Sequence, residues 1–159
     1  MKESVYLETS FISYLTARRS RDIVTVALQQ ITQDWWTKRH SIYNIYVSQR
    51  VIAEASCGNP EAVENRFKIL KDIPILETTQ QAESLAQCIM DSVDLPVKAN
   101  EDALHIAIAS VNQINYLLTW NCKHIANAVL IPKIHQVCMK EGFSCPVLCT
   151  PQELMEDYL

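Results

Sequence analysis

The chain has 159 residues, of which 48% are hydrophobic and 20% are charged, and its formal net charge is −4 at pH 7. This length and composition predict one globular domain over residues 1–159, and the acidic balance argues against a strong general nucleic-acid binder. The six cysteines form no C-x-x-C pair, and no apolar run is long enough to span a bilayer. Because the N-terminus also lacks the residue order of a signal peptide, we expect a cytoplasmic protein with no membrane segment.

The first two elements place a carboxylate between a strand and a helix. Residues 4–7 are predicted to form a short apolar strand, and Thr9 or Ser10 can cap a helix over residues 11–17. Glu8 therefore lies at the junction, where an acid also favours the start of the helix. This position is compatible with either a capping role or a place in a site.

A basic segment precedes the second predicted helix, which covers residues 22–36. Its charges come from Arg18, Arg19 and Arg21. Such a run forms either a solvated loop or a contact for phosphates or an acidic partner.

A second acid follows the second predicted strand, which covers residues 41–47. Ser48 begins a helix that ends at Gly58, and Glu54 lies within it among apolar neighbours. A glutamate at such a position is by default a surface residue, but the apolar surroundings make it a site candidate.

The segments that come next are predicted to supply core. They are a helix over residues 60–71, a short edge strand over residues 73–76, and a helix capped by Thr78 or Thr79. Their apolar faces show no sign of a cofactor site.

The stretch from residue 100 to residue 121 holds the third acid. A helix over residues 100–113 is predicted, with Asn100 as its N-cap and Asp102 in its first turn. A short buried strand follows, and Asn121 lies just past its carboxyl end, where open α/β sheets bind their ligands. Carboxylates that gather at this edge would form a site for a hard cation.

The last predicted elements are a helix over residues 130–141 closed by Gly142 and a strand over residues 146–149. Thr150 and Glu153 form a capping box, which predicts a terminal helix. Strands and helices alternate along the whole chain. The sequence therefore predicts an α/β fold with one mainly parallel sheet and helices on both of its faces.

Four segments together resemble the motif set of PIN-domain proteins, and most of all the VapC-type toxins of bacterial toxin–antitoxin modules. The segments are residues 6–10 (YLETS), Glu54, residues 101–107 (EDALHIA) and residues 118–125 (LTWNCKHI). The resemblance covers essentially the whole chain and keeps the order and spacing of the motifs. It implies a five-stranded parallel sheet whose edge holds Mg²⁺ or Mn²⁺ for the cleavage of RNA, a cognate antitoxin, and a homodimer.

The resemblance also implies a role for single residues. Glu8 falls at the first acidic position of the motif set, Glu54 at the second, Asp102 at the third and Asn121 at the fourth. Thr9 or Ser10 matches the hydroxyl that follows the first acid. The chain departs from the commonest pattern at two positions, because the first acid is usually aspartate and the fourth often is.

The chemistry of these residue types suits phosphodiester hydrolysis, in which a cation activates water and stabilises charge on the phosphate. Since Mg²⁺ typically uses one or two carboxylates and several waters, Glu8 and Asp102 are the expected metal ligands. Glu54 is expected to act beside the metal or as a base, and Asn121 to orient a water or offer its carbonyl oxygen. Lys123 is a candidate for phosphate contact.

The histidines are assigned more modest roles. His105 is expected to be packed and hydrogen-bonded inside its helix, whereas His124 follows Asn121 closely enough to contact a substrate phosphate. The three acids, if they converge, should raise the pKa of at least one carboxyl by mutual repulsion.

Two functions of different classes are consistent with these residues. The first is a metal-dependent endoribonuclease held in check by an antitoxin. The second is a catalytically weakened PIN-fold protein that acts by binding RNA or protein, and Glu8 and Asn121 are the features that favour it.

Overall fold

In the computed structural model, which describes residues 1–155, five strands alternate with seven α-helices. The strands are β1 (Ser4–Leu7), β2 (Asn44–Ser48), β3 (Ile75–Leu76), β4 (Tyr116–Leu118) and β5 (Val147–Cys149). The helices are α1 (Thr9–Thr16), α2 (Ile23–Arg39), α3 (Gln49–Ala55), α4 (Pro60–Leu70), α5 (Gln80–Ser92), α6 (Asn100–Val111) and α7 (Ile131–Lys140). Short 3-10 turns, His40–Ile42 and Val97–Ala99, precede β2 and α6.

The order of the strands in the sheet is β3-β2-β1-β4-β5, and all neighbouring pairs are parallel. The chain builds outward from β1 through β2 and β3, then crosses to the other side of β1 with β4 and β5. The strand order therefore reverses between β1 and β4. In open parallel sheets, the crevice outside the carboxyl ends of two such strands is where ligands bind.

The sheet is covered on both of its faces. Val5, Tyr6 and Leu7 are consecutive residues of β1, and all three are fully buried. Because successive strand residues point to opposite faces, full burial of all three requires packing on both sides. The α/β fold with a five-stranded parallel sheet that the sequence predicts is confirmed.

Local side chains begin most of the helices as the sequence indicates. Asp22, Ser48, Asn59 and Thr79 each accept a hydrogen bond from a backbone N–H in the first turn of the helix that follows. The prediction for Asn100 is wrong. Ala99 occupies the cap position of α6 without a side-chain cap, because the preceding 3-10 turn runs directly into the helix.

Element boundaries differ from the predictions by a few residues. The second strand begins three residues later than expected, because residues 40–42 form a 3-10 turn. The edge position of β3 is confirmed by the strand order. Gly58 and Gly142, predicted to end helices, have φ angles of +103° and +86°, which a residue with a Cβ rarely adopts.

The capping box at the end of the chain is present, since Thr150 and Glu153 exchange hydrogen bonds between side chains and backbone N–H groups. Residues 151–154 form a turn rather than the first turn of a helix, and the remainder of the predicted terminal helix lies outside the described residues. Within residues 1–155, the helices are too short or too polar to traverse a bilayer.

Candidate active site

The first acid, Glu8, lies directly after β1 and is almost fully buried, with 6% of its surface exposed. It is the N-cap of α1, since its Oε2 accepts from the backbone N–H of Ser10 at 3.1 Å. The prediction that Thr9 or Ser10 caps this helix is wrong. The longer side chain of glutamate can fold back onto the first turn, which leaves both hydroxyls free for other bonds.

The hydroxyls of Ser10 and Thr119 connect Glu8 to the segment that follows β4. Ser10 Oγ and Thr119 Oγ1 each donate to Glu8 Oε1 at 2.5 Å. The backbone N–H of Trp120 in turn donates to Ser10 Oγ at 2.8 Å. The Leu7–Leu118 register brings these residues together, because the segments after β1 and β4 leave the sheet side by side.

The second acid, Glu54 on α3, reaches the same edge of the sheet. Its Oε1 accepts from Thr9 Oγ1 at 2.8 Å and from His105 Nε2 at 2.5 Å. Thr9 is thus the link between the first two acids, since it follows Glu8 directly in the chain. The hydroxyl that the motif resemblance singled out has a definite partner.

His105 lies at the centre of a buried polar network that joins four elements, α6, α3, β1 and β2. Its Nε2 donates to Glu54, its Nδ1 shares a hydrogen bond of 2.6 Å with the hydroxyl of Tyr6, and that hydroxyl is 2.7 Å from Ser48 Oγ. Burial raises the pKa of Tyr6, so its hydroxyl stays protonated. The prediction that His105 is packed and hydrogen-bonded is confirmed.

The charges in this network shift the pKa values of a carboxyl and an imidazole in opposite directions. Burial disfavours the charged form of each group, but the hydrogen bond and the attraction between Glu54 and His105 outweigh it. The pKa of Glu54 is therefore lowered and that of His105 is raised. The expectation that repulsion raises a carboxyl pKa is not met at Glu54, because the contact with His105 lowers the pKa of this carboxyl.

The third acid, Asp102 in the first turn of α6, contacts the segment after β4. Its Oδ2 accepts from His124 Nδ1 at 2.9 Å. The backbone N–H of His124 donates to Asn121 Oδ1 at 2.9 Å, and the backbone N–H of Asn121 donates to Thr119 Oγ1 at 2.9 Å. A chain of hydrogen bonds therefore runs from the third acid back to the residue that holds Glu8.

These contacts together form a circuit at the edge of the sheet between β1 and β4. We call it the acid ring, and its members are Glu8, Thr9, Glu54, His105, Asp102, His124, Asn121 and Thr119. His105 and Asp102 complete the circuit as residues three apart on α6, which places them on one face of the helix. Glu8, Glu54 and Asp102 all exert their charge on His105.

The acid ring suits a hydrated hard cation better than a closed metal centre. Within residues 1–155, no three histidine, cysteine, aspartate or glutamate side chains gather closely enough to enclose a metal ion. Mg²⁺ does not need such a cage, because it retains several waters and takes one or two carboxylates. Asp102 Oδ1 accepts no hydrogen bond from the described residues, and its side chain is 19% exposed, so it remains available to a cation.

Two cationic side chains near the ring differ in their availability. Lys123 follows Asn121, is exposed, and forms neither a hydrogen bond nor an ion pair with residues 1–155, so it is free to contact a phosphate. Arg50 instead forms an ion pair with Glu101 through two of its nitrogen atoms. Its charge also helps to lower the pKa of Glu54.

Sequence reasoning identified the acids but missed the contacts of two residues in the site, Tyr6 and His124. The sequence predicts for Tyr6 only a place in the first strand, whereas its hydroxyl forms a hydrogen bond with His105. His124 was considered only for phosphate contact, although its ring contacts Asp102. The available signal was the short distance in sequence from Asn121 to His124, which allows an asparagine side chain to cap a turn that carries the histidine.

The fold of the chain is similar to that of two solved structures. VapC20 from Mycobacterium tuberculosis, described as a sarcin-ricin loop cleaving toxin, is 20% identical, and the match covers 72% of this chain and 87% of VapC20 with a TM-score of 0.56. A chain of the VapBC2 complex from Rickettsia felis, solved with a DNA fragment from its promoter, is 16% identical over 75% of this chain and 89% of the matched chain, with a TM-score of 0.52. Comparison with protein-family models and with curated sequences gives no match. The chain has the PIN-like α/β fold of VapC-type proteins, as its motifs predict.

Proposed function

We propose that this chain, which shares the fold of VapC-type proteins, is a metal-dependent endoribonuclease and the toxin of a toxin–antitoxin module. The observation that carries the proposal is the acid ring. Three carboxylates, from the N-cap of α1, from α3 and from α6, are linked by hydrogen-bonded neighbours at the sheet edge where the strand order reverses. In a fold shared with a toxin described as cleaving the sarcin-ricin loop, this arrangement favours hydrolysis of RNA.

Carboxylate oxygens determine which cofactor the site would take. Glu8 and Asp102 are the residues that would hold Mg²⁺ or Mn²⁺, since oxygen donors suit these cations. A bound divalent ion would supply a water of lowered pKa and would neutralise charge on the phosphate. The hydroxyls of Ser10 and Thr119 fix the orientation of Glu8. The imidazole of His124 fixes that of Asp102.

Glu54 is better suited to orienting groups than to accepting a proton. A general base works best when its pKa is close to the working pH, whereas the pKa of Glu54 is lowered by its contacts with His105 and Thr9. Its carboxylate is therefore ionised and only weakly basic at neutral pH. Glu54 then serves as a fixed negative charge that holds Thr9 and His105 in place.

The proposed partners follow from the same fold. Exposed Lys123 would contact a phosphate of single-stranded or looped RNA beside the acid ring. The match to a VapBC2 complex supports a small antitoxin protein as the regulator. We extend the proposal to a homodimer that works in the cytoplasm.

The hydrogen bonds of Glu8 favour a second function. Its carboxylate already accepts three hydrogen bonds and caps α1, so it has a complete structural role without any cation. Asn121 in place of a fourth acid also reduces the negative charge that attracts a metal. A PIN-fold protein that binds RNA or a protein partner without cleaving it would have these features.

A cleavage assay distinguishes the two functions. Purified protein is incubated with structured and single-stranded RNAs in Mn²⁺, in Mg²⁺ and in EDTA, and is compared with Asp102→Asn. The matched control is Asp72→Asn, which makes the same chemical change at an exposed aspartate without a hydrogen bond or ion pair in residues 1–155. We expect cleavage with metal by the wild type and the control, and none by Asp102→Asn. Equal cleavage by all three proteins, or RNA binding without cleavage, would overturn the nuclease.

A further inference from the structure

The side chain of Asn121 is engaged in building the turn that follows β4. Its Oδ1 accepts from the backbone N–H of His124, and its backbone carbonyl accepts from Ile125 and Ala126. Its own backbone N–H is held by Thr119. An asparagine that folds the next three residues around its side chain in this way is a turn former.

This turn determines the position of the His124 ring. Nδ1 of His124 donates to Asp102 Oδ2 at 2.9 Å, and the two side chains are only 12% and 19% exposed. A carboxylate can only accept, so the proton of this bond resides on Nδ1. Nε2 of His124 has no partner within residues 1–155 and is not among the buried unpaired atoms, so it is open to solvent.

We propose that His124 is the positioning residue of this site and that Asn121 acts by placing it. His124 holds Asp102 Oδ2 and thereby fixes the direction of the other oxygen, Oδ1, which is left available to a cation. The inference rests on the proposed nuclease function and deepens it. The motif resemblance expects a fourth acid at residue 121. In this chain, the imidazole of His124, three residues later, takes that place in the site.

The physical reason is the freedom of an aspartate at the start of a helix. The side chain of Asp102 is partly exposed, and no hydrogen bond within residues 1–155 other than the one from His124 restrains it. Loss of a partner that orients a functional carboxylate typically costs about 10- to 100-fold in activity. The corresponding restraint on Glu8 comes from two hydroxyls and a backbone N–H, so each acid expected to hold metal has its own support.

Three substitutions of His124 separate orientation of Asp102 from direct contact with substrate. The amide nitrogen of asparagine can take the place of Nδ1, and that of glutamine the place of Nε2. We therefore expect His124→Asn to retain most of the kcat, while His124→Gln and His124→Ala lose about 10- to 100-fold. His135→Ala, which removes an imidazole that contacts the carbonyl of Pro146, is the matched control and should cleave like the wild type.

Substitutions of Asn121 test the other half of the inference. Aspartate retains an oxygen acceptor for the N–H of His124 and alanine does not, so Asn121→Asp should lower kcat much less than Asn121→Ala. Because Asn121 acts through His124, Asn121→Ala combined with His124→Ala should lose no more than His124→Ala alone. Additive losses would contradict the assignment of Asn121.

A readout that does not depend on cleavage is the Nδ1–H proton of His124 in NMR spectra of protein with labelled histidine. We expect a slowly exchanging signal in the wild type that disappears in Asp102→Ala, with both proteins folded by circular dichroism. Cleavage retained in His124→Gln but lost in His124→Asn would overturn the inference, and so would full activity of His124→Ala. Neither result would contradict the proposed nuclease function. Wild-type protein that cleaves no RNA would instead overturn the proposed function and this inference with it.

Discussion

Removal of one hydroxyl, in Tyr6→Phe, tests whether the buried network beneath the acid ring stabilises the fold. The change deletes two hydrogen bonds, at 2.6 Å to His105 Nδ1 and at 2.7 Å to Ser48 Oγ. Ser48 retains the bond from the N–H of Val51, whereas Nδ1 of the fully buried His105 is left without a partner.

The expected cost follows from those two losses. A typical hydrogen bond contributes about 1 kcal/mol net, and a buried polar atom left unpaired costs about 1 to 3 kcal/mol. We expect Tyr6→Phe to lower the free energy of unfolding by about 2 to 3 kcal/mol, and the melting temperature of a domain of this size by about 4 to 12 °C. Urea unfolding measures the change, provided that the free energy of unfolding falls equally steeply with urea concentration in both proteins.

The chain offers a matched control in the neighbouring strand. Tyr46 pairs with Tyr6 in the register of β1 and β2, and its hydroxyl makes no hydrogen bond with residues 1–155. Tyr46→Phe therefore makes the same chemical change and should cost less than about 0.5 kcal/mol. If Tyr6→Phe were as stable as Tyr46→Phe, the buried network would contribute nothing to stability and the reasoning would fail.

Two further results are expected from the charges of the acid ring. Because the pKa of Glu54 is lowered on folding, its contribution to stability is complete above pH 4.5 and is lost as the pH falls. Because the pKa of His105 is raised on folding, its contribution is complete below pH 6.5 and is lost as the pH rises. In EDTA, the stability difference between the wild type and Glu54→Gln should therefore peak between pH 4.5 and 6.5, and a difference that is constant with pH would contradict the shifts. Mn²⁺ at about ten times its Kd should stabilise the wild type by about 1.4 kcal/mol, or roughly 3 to 6 °C, and an equal shift in Asp102→Asn would argue against this site.

The fold was predictable because its determinants are local in the sequence. Ser48 and Asn59 cap helices, and Gly142 directly follows the C-cap of α7 with a positive φ angle, whereas α3 ends at Ala55, three residues before the predicted stop at Gly58. These signals depend on residues within one turn of one another, and the alternation of strands with helices then favours a parallel sheet. The number of strands came from the motif resemblance, and the strand order β3-β2-β1-β4-β5 was not contained in those local signals.

The acids of the site were predictable, but their connections were not. Asp102 and His124 are 22 residues apart, and Tyr6 and His105 are 99 apart, so no periodicity links them. The cap of α1 was assigned to Thr9 or Ser10 because hydroxyls are common caps. Glu8 is the actual cap. Its side chain also accepts a hydrogen bond from Thr119, which follows β4 and is 111 residues away in the sequence, so local patterns do not reveal this arrangement.

The pairing of acids with donors explains how the ring folds without depending on a cation. Carboxylates at short range repel one another and would destabilise an empty site. Here each acid has its own compensation: hydroxyls and a helix N-terminus for Glu8, His105 for Glu54, and His124 for Asp102. A fourth carboxylate at Asn121 would add a negative charge beside Thr119 and the turn that carries His124. Asparagine forms the same turn without that charge. Under the proposed function, the chain would therefore attract a divalent ion less strongly but would have a site that is already ordered before RNA and metal bind.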